Sequence, residues 1–285
     1  MVLDRFLGCT SREILPHRPV ILGCPLDVTS TYRRGSAEAP DAIRAASDSL
    51  EMYSPLLDAD LDDIPFADLG NVALENTSLE SALAKIGATV GRVLEQGGTP
   101  LCIGGEHTIT LPAVEALRDR RDDFVVVHLD AHSDLRDEYE GNSVNHATVI
   151  RRVEELIGPA RLIQMGVRAG TREEFAWMKE HGTAVQWGTG FDKTLLRRIA
   201  GRPVYLTLDL DVLDPSGFSG TGNPEPGGWS YEAMERFLLT LTHVNLVAAD
   251  VVELNPGLDA SEVSSITAAK IVRELLVILG NSQNS

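Results

Sequence analysis

Residues 123–134 read DFVVVHLDAHSD, and residues 204–215 read VYLTLDLDVLDP. In both, a short apolar run ends abruptly in acidic residues. A run that is apolar at successive positions reads as a strand buried on both faces, the habit of parallel sheets covered by helices. The same kind of run recurs at 20–26, 65–72, 100–105, 161–167, 183–187 and 245–254, which makes eight strands in all. Between them the period changes. Leu79, Leu83, Ile86, Val90 and Val93 repeat every three or four residues and form one helical stripe. Pro40 suits a first helical turn, and Val263, Ile266, Ala269, Ile271 and Leu275 pattern a last helix over 261–279. Strands alternating with helices predict an α/β fold with a mainly parallel sheet.

The rest of the composition agrees. With 43% hydrophobic and 24% charged residues, the chain has the makeup of a globular protein with a substantial core. No repeat, low-complexity tract or long linker divides it, so 1–285 reads as one domain. The 25 Lys and Arg against 42 Asp and Glu give a net charge of −17, which disfavours nucleic acid and allows cationic ligands. Cys9, Cys24 and Cys102 are odd in number and form no CxxC, as expected of a reduced cytoplasmic protein. No apolar run reaches the roughly 18 residues of a membrane span, and Asp4, Arg12 and Glu13 interrupt the place of a signal peptide.

The unusual residues close the strands, where parallel sheets gather their ligand sites. Side chains two apart on a strand point the same way, so Asp130 and His132 converge, and Asp134 joins them if the turn bends back. Asp209 and Asp211 repeat the spacing. Two adjacent carboxylates repel unless a cation lies between them. In CIGGEHT, Gly104 and Gly105 permit a tight turn that brings His107 to a helix start. These six residues exceed the needs of one ion and suit two; the oxygen-rich set favours manganese over zinc, with nickel, cobalt or magnesium as substitutes. His128 lies inside its strand and reads as a hydrogen-bonded packing residue, and Asp214, before Pro215, as a turn former. Glu253, in DVVELNP, closes the last strand and offers a carboxylate to a guanidinium, although alone it reads more readily as a solvated strand end.

Taken in order, GGEHT, DAHSD, TLDLDVLDP, GTGNPEPGG and VVELNP resemble the motif set of the ureohydrolases, the arginases and agmatinases, over most of the chain. The resemblance implies a three-layer α/β/α sandwich, two Mn²⁺ ions, and assembly as a trimer or hexamer. It implies that His107, Asp130, Asp134 and Asp209 hold one metal and Asp130, His132, Asp209 and Asp211 the other. Asp134 and His146 then transfer protons, and Glu253 anchors the guanidinium. Three departures stand out: GGEHT where GGDHS is common, Ala147 after His146 where glycine is usual, and Asn223 where threonine is usual.

The loop after DAHSD carries Asp137, Glu138 and Glu140, which predicts an acidic mouth for an amine tail; Arg136 is the counter-argument. Loop and HATVIRR segment look most like short archaeal and bacterial agmatinases. The expected substrate is a small cationic guanidine, agmatine or an N-substituted agmatine, cleaved to urea and putrescine or a spermidine-type polyamine. The alternatives are guanidinobutyrate, arginine or formimidoylglutamate as substrate, an amide hydrolase of the deacetylase type, or a noncatalytic homologue.

Overall fold

Alternate residues of the central strands feed two separate hydrophobic clusters: Leu101, Val125, Val127, Leu206 and Leu208 enter one, and Cys102, Val126 and Tyr205 the other. That is the packing of a sheet covered on both faces. The computed structural model describes residues 5–185 and 193–282. Among these, the strands are β1 (Pro19–Cys24), β2 (Tyr53–Ser54), β3 (Ala59–Asp60), β4 (Ala67–Asn71), β5 (Thr99–Gly104), β6 (Val125–Leu129), β7 (Leu162–Met165), β8 (Pro203–Asp209) and β9 (Asn245–Val252). The helices are α1 (Ala39–Ser47), α2 (Leu79–Glu95), α3 (Thr110–Arg118), α4 (Val149–Ile157), α5 (Arg172–His181), α6 (Lys193–Ile199), α7 (Tyr231–Leu241) and α8 (Val263–Asn281).

The main sheet has the order β4-β1-β5-β9-β8-β6-β7, and all of its pairs are parallel. β2 and β3 form a small antiparallel pair outside it. One cluster lies between the sheet and α1, α6, α7 and α8, the other between the sheet and α2, α3, α4 and α5. In α2 the predicted stripe is the buried one, with Ile86, Val90 and Val93 inside.

Two expectations need correction. Among the described residues the sheet has seven strands, where eight were predicted. Of 183–187 only Ala184 pairs, in a single parallel bridge to Gln164, and Gln186 and Trp187 lie outside the described residues. The other seven predicted strands agree with the sheet to within two residues at each end. In α8, Val263 and Ile266 are exposed, because the first turn presents Ser264 and Ser265 to the interior before Ala268 and Ala269 enter the core.

The order places β5, β9, β8 and β6 side by side at the centre. Their carboxyl ends carry the four motif segments. The turn after β5 needs Gly105, since a Cβ there would lie 1.9 Å from the Leu26 carbonyl oxygen.

Candidate metal centre

Each segment reaches the centre by a different local device. His107 opens a 3-10 turn, His107–Ile109, that leads into α3. Asp130 follows the last residue of β6, and Asp134 bends back with φ 51°, an uncommon backbone for a non-glycine residue. That bend is held by Glu174 in the α5 capping box, whose carboxylate accepts from Ser133 Oγ at 2.7 Å and Leu135 N at 3.0 Å. Asp209 ends β8 and caps the turn that carries Asp211, accepting its N–H at 2.8 Å.

The side chains meet as two groups joined at Asp130. His107 Nδ1 lies 3.1 Å from Asp130 Oδ2 and 3.3 Å from both Asp134 Oδ2 and Asp209 Oδ2. His132 Nδ1 lies 2.8 Å from Asp211 Oδ2 and 3.5 Å from Asp130 Oδ1. All six residues named from the sequence therefore come together. His128 is buried beside them, its Nε2 2.8 Å from Asp130 Oδ2 and its Nδ1 facing the Gln164 amide. It hydrogen-bonds within the cluster, and its ring lies within ligand reach of His107, Asp130 and Asp134 as well.

Thr207 and Asp250 support His107 from behind and were not singled out in the sequence. Thr207 Oγ1 donates to Asp250 Oδ1 at 2.7 Å, so at 2.8 Å it accepts from His107 Nε2–H. With Nε2 carrying a proton, Nδ1 faces three carboxylates. Nδ1 is buried and has no hydrogen bond of proper geometry. The signal was available: a threonine and an aspartate, paired in register on β8 and β9, interrupt two apolar runs.

The charge balance calls for cations. Burial, then Asp211 and Asp130, push the Asp209 carboxyl well above its ordinary range. Burial also raises Asp211, with Asp130 adding to it. Burial opposes the imidazolium of His132, but Asp211 and Asp130 outweigh it and push the group up to about 12. His107 rises well above its usual range in the same way, through Asp130, Asp134 and Asp209 acting against burial. Burial lifts Glu253 to about 8, with Glu106 and Asp211 adding to it. Oxygen and imidazole donors crowded this closely and starved of positive charge fit divalent metal ions.

A pH dependence follows for metal-free protein. Glu253 keeps its proton up to about 8 when folded and releases it near 4.5 when unfolded, so the folded state binds more protons in between. The raised Asp209, Asp211, His107 and His132 act in the same direction. Melting temperature is expected to fall as pH rises from about 5 to about 8, and added metal restores most at the upper end. A melting temperature that rises with pH across that range in chelator-treated protein contradicts this charge balance.

Above the floor lies a cavity of about 490 Å³ lined by His107, His132, Asp134, Asp209, Asp211 and Glu253 below and by Thr31, Tyr32, Arg136, Tyr139, His146, Ala147 and Asn223 to Glu225 around it. Glu253 sits at φ 67° just past β9, and its Oε1 accepts the His107 N–H at 2.7 Å. His146 stands on the wall, with Nε2 3.2 Å from Thr31 Oγ1. The predicted acidic mouth is not formed by Asp137, Glu138 and Glu140. Asp137 points to Arg151 at 3.0 Å and Arg152 at 3.7 Å, and Glu138 and Glu140 do not line the cavity. Arg136 does line it, stacked over Tyr139 at 4.5 Å and 3.9 Å from Glu174. Among the described residues Glu225 forms no ion pair, and it is the acid on the upper wall.

A buried Asp/His cluster with the buried Glu253 carboxylate beside it, open to a cavity, is a donor set able to hold divalent metal ions next to a bound small molecule. The Arginase family profile matches residues 17–278, and the chain belongs to that family as a metal-dependent ureohydrolase. The agmatinase of Bacillus subtilis (strain 168) is 40% identical over 262 residues, covering 90% of each chain. The guanidinobutyrase of Pseudomonas aeruginosa is 33% identical over 301 residues, 97% of this chain and 94% of the other. The structure of the agmatine ureohydrolase of Thermoplasma volcanium superposes with a TM-score of 0.84 at 32% identity, covering 98% of this chain and 93% of that one. The three-layer sandwich is the arrangement of this family.

Proposed function

We propose that the chain cleaves the guanidinium group of agmatine or an N-substituted agmatine, releasing urea and putrescine or a spermidine-type amine, with two Mn²⁺ ions. His107, Asp130, Asp134 and Asp209 would hold one ion, and Asp130, His132, Asp209 and Asp211 the other. The chemistry such a pair supplies is a water molecule made nucleophilic near neutral pH. Glu253 takes the guanidinium through charge-assisted hydrogen bonds and holds its carbon over the floor. Asp134 accepts a proton as the C–N bond to the amine breaks, and His146 gives one to the departing nitrogen. Water and guanidinium are thereby converted to urea and a protonated amine.

The observation that carries the cationic tail is the charge on the upper wall. Glu225 has no ion-pair partner among the described residues, whereas Arg136 is occupied by Tyr139 and Glu174. The similarity to agmatinases supports the same choice. Arg136 favours one second reading, a carboxylate tail such as guanidinobutyrate. Agmatine and 4-guanidinobutyrate differ only at the tail, so their ratio of kcat/KM decides. Agmatine is expected to win, and Glu225→Gln to narrow the ratio by about tenfold, chiefly through KM. Preference for guanidinobutyrate, lost on Arg136→Ala, overturns the agmatine assignment.

The same proposal includes a single working domain, supported by one sheet that spans β1 to β9 and by α8 packing back on α1. It also includes a cytoplasmic setting, supported by the three free cysteines, and a trimer or hexamer, which light scattering on the eluted protein tests. No helix among the described residues is long and apolar enough to cross a membrane.

A further inference from the structure

Glu106, the residue that departs from the common GGDHS, takes no part in the chemistry described above. Its side chain is wholly buried, and four donors from the loop after β1 converge on it. Oε2 accepts from the N–H groups of Val28 at 2.7 Å, Thr29 at 2.6 Å and Ser30 at 3.2 Å, and Oε1 accepts from Thr29 Oγ1 at 2.7 Å. Three successive amides closing on one carboxylate make an anion nest filled by the protein itself.

The loop held in this way holds His146 in turn. Thr29 Oγ1, having donated to Glu106, accepts the backbone N–H of His146 at 3.0 Å. Two residues on, Thr31 Oγ1 meets the imidazole Nε2 at 3.2 Å. Glu106 also adjoins His107, whose N–H is fixed by Glu253. One carboxylate thus ties the cavity floor to the wall that carries His146, across segments 76 to 117 residues apart in the chain.

We infer that Glu106 is a positioning residue for His146, setting where the imidazole stands above the floor. The inference rests on the reading of His146 as a proton donor to the leaving amine. Side-chain length matters here, since an aspartate would stop about 1.5 Å short of the loop amides.

The test is a double-mutant cycle on manganese-loaded protein with agmatine, using Glu106→Gln, Thr29→Val and His146→Asn alone and in pairs. Thr29→Val interrupts the link while keeping the Glu106 charge and its three amide donors, so it serves if Glu106→Gln folds poorly. Either single change is expected to lower kcat by about 10- to 100-fold with little change in KM and with both metals retained. Each adds almost nothing on the His146→Asn background. Hydrogen exchange of the 28–30 amides is expected to quicken in Glu106→Gln.

Multiplicative losses in the double variants, or an unchanged kcat in both single variants, overturn the inference while leaving the ureohydrolase reading intact. Wild-type protein that releases no urea from any guanidine overturns that reading, and this inference with it.

Discussion

Asp211→Asn is expected to bind one metal ion per chain where the wild type binds two, and to lose about a hundredfold or more in turnover. The substitution keeps the shape of the side chain and an acceptor for the Ala131 N–H, which Asp211 Oδ1 takes at 3.0 Å. What it removes is the charge that faces His132 at 2.8 Å and that repels Asp209 and Asp130. Loss of a residue that merely supports a metal ligand typically costs 10- to 100-fold, so loss of a ligand charge should cost at least as much. Because metal binding stabilises the folded state, the rise in melting temperature on adding manganese should also shrink. Metal analysis after gel filtration, beside urea release, reads both effects. Two retained ions with near-normal turnover contradict the assignment of Asp211 to a metal.

Glu253→Gln is expected to act on substrate. Its amide oxygen can still take the His107 N–H that Glu253 Oε1 accepts at 2.7 Å, so the floor should keep its shape and its metals. The amide nitrogen, however, presents hydrogens to a cationic guanidinium that needs acceptors. Charge-assisted hydrogen bonds contribute about 1.5–3 kcal/mol, equivalent to about a 10- to 100-fold loss in kcat/KM. The loss should fall mainly on KM, because Glu253 contacts the substrate before any bond breaks. A fall confined to kcat, with substrate affinity untouched, moves the guanidinium anchor elsewhere.

The residues of the candidate metal centre were legible because local periodicity carries them. Asp130 with His132 and Asp209 with Asp211 stand two apart where apolar runs stop, and the ends of parallel strands share one edge of the sheet. His107 needed only the glycine pair before it. The remainder depends on partners far away in the chain. Nothing near Asp137 in sequence tells that Arg151 and Arg152, one helix later, take up its charge. Nothing beside Thr31 announces His146, and nothing in GGEHT shows that its glutamate faces 28–30. The missing strand has a shorter explanation. Thr183 O and Val185 N–H each hydrogen-bond to the Gln164 backbone around one bridge at Ala184, too few pairs for a strand, and Gln186 and Trp187 lie outside the described residues.

A two-metal floor of Asp and His residues that hydrolyses an amine-tailed guanidine should be inactive without metal. The most direct measurement is urea release from agmatine as manganese is titrated into chelator-stripped protein, with bound metal counted at each point. No urea is expected without metal, and the rate should saturate as the second ion per chain binds. Full activity in stripped protein, or two bound ions with no urea released, would contradict two-metal hydrolysis.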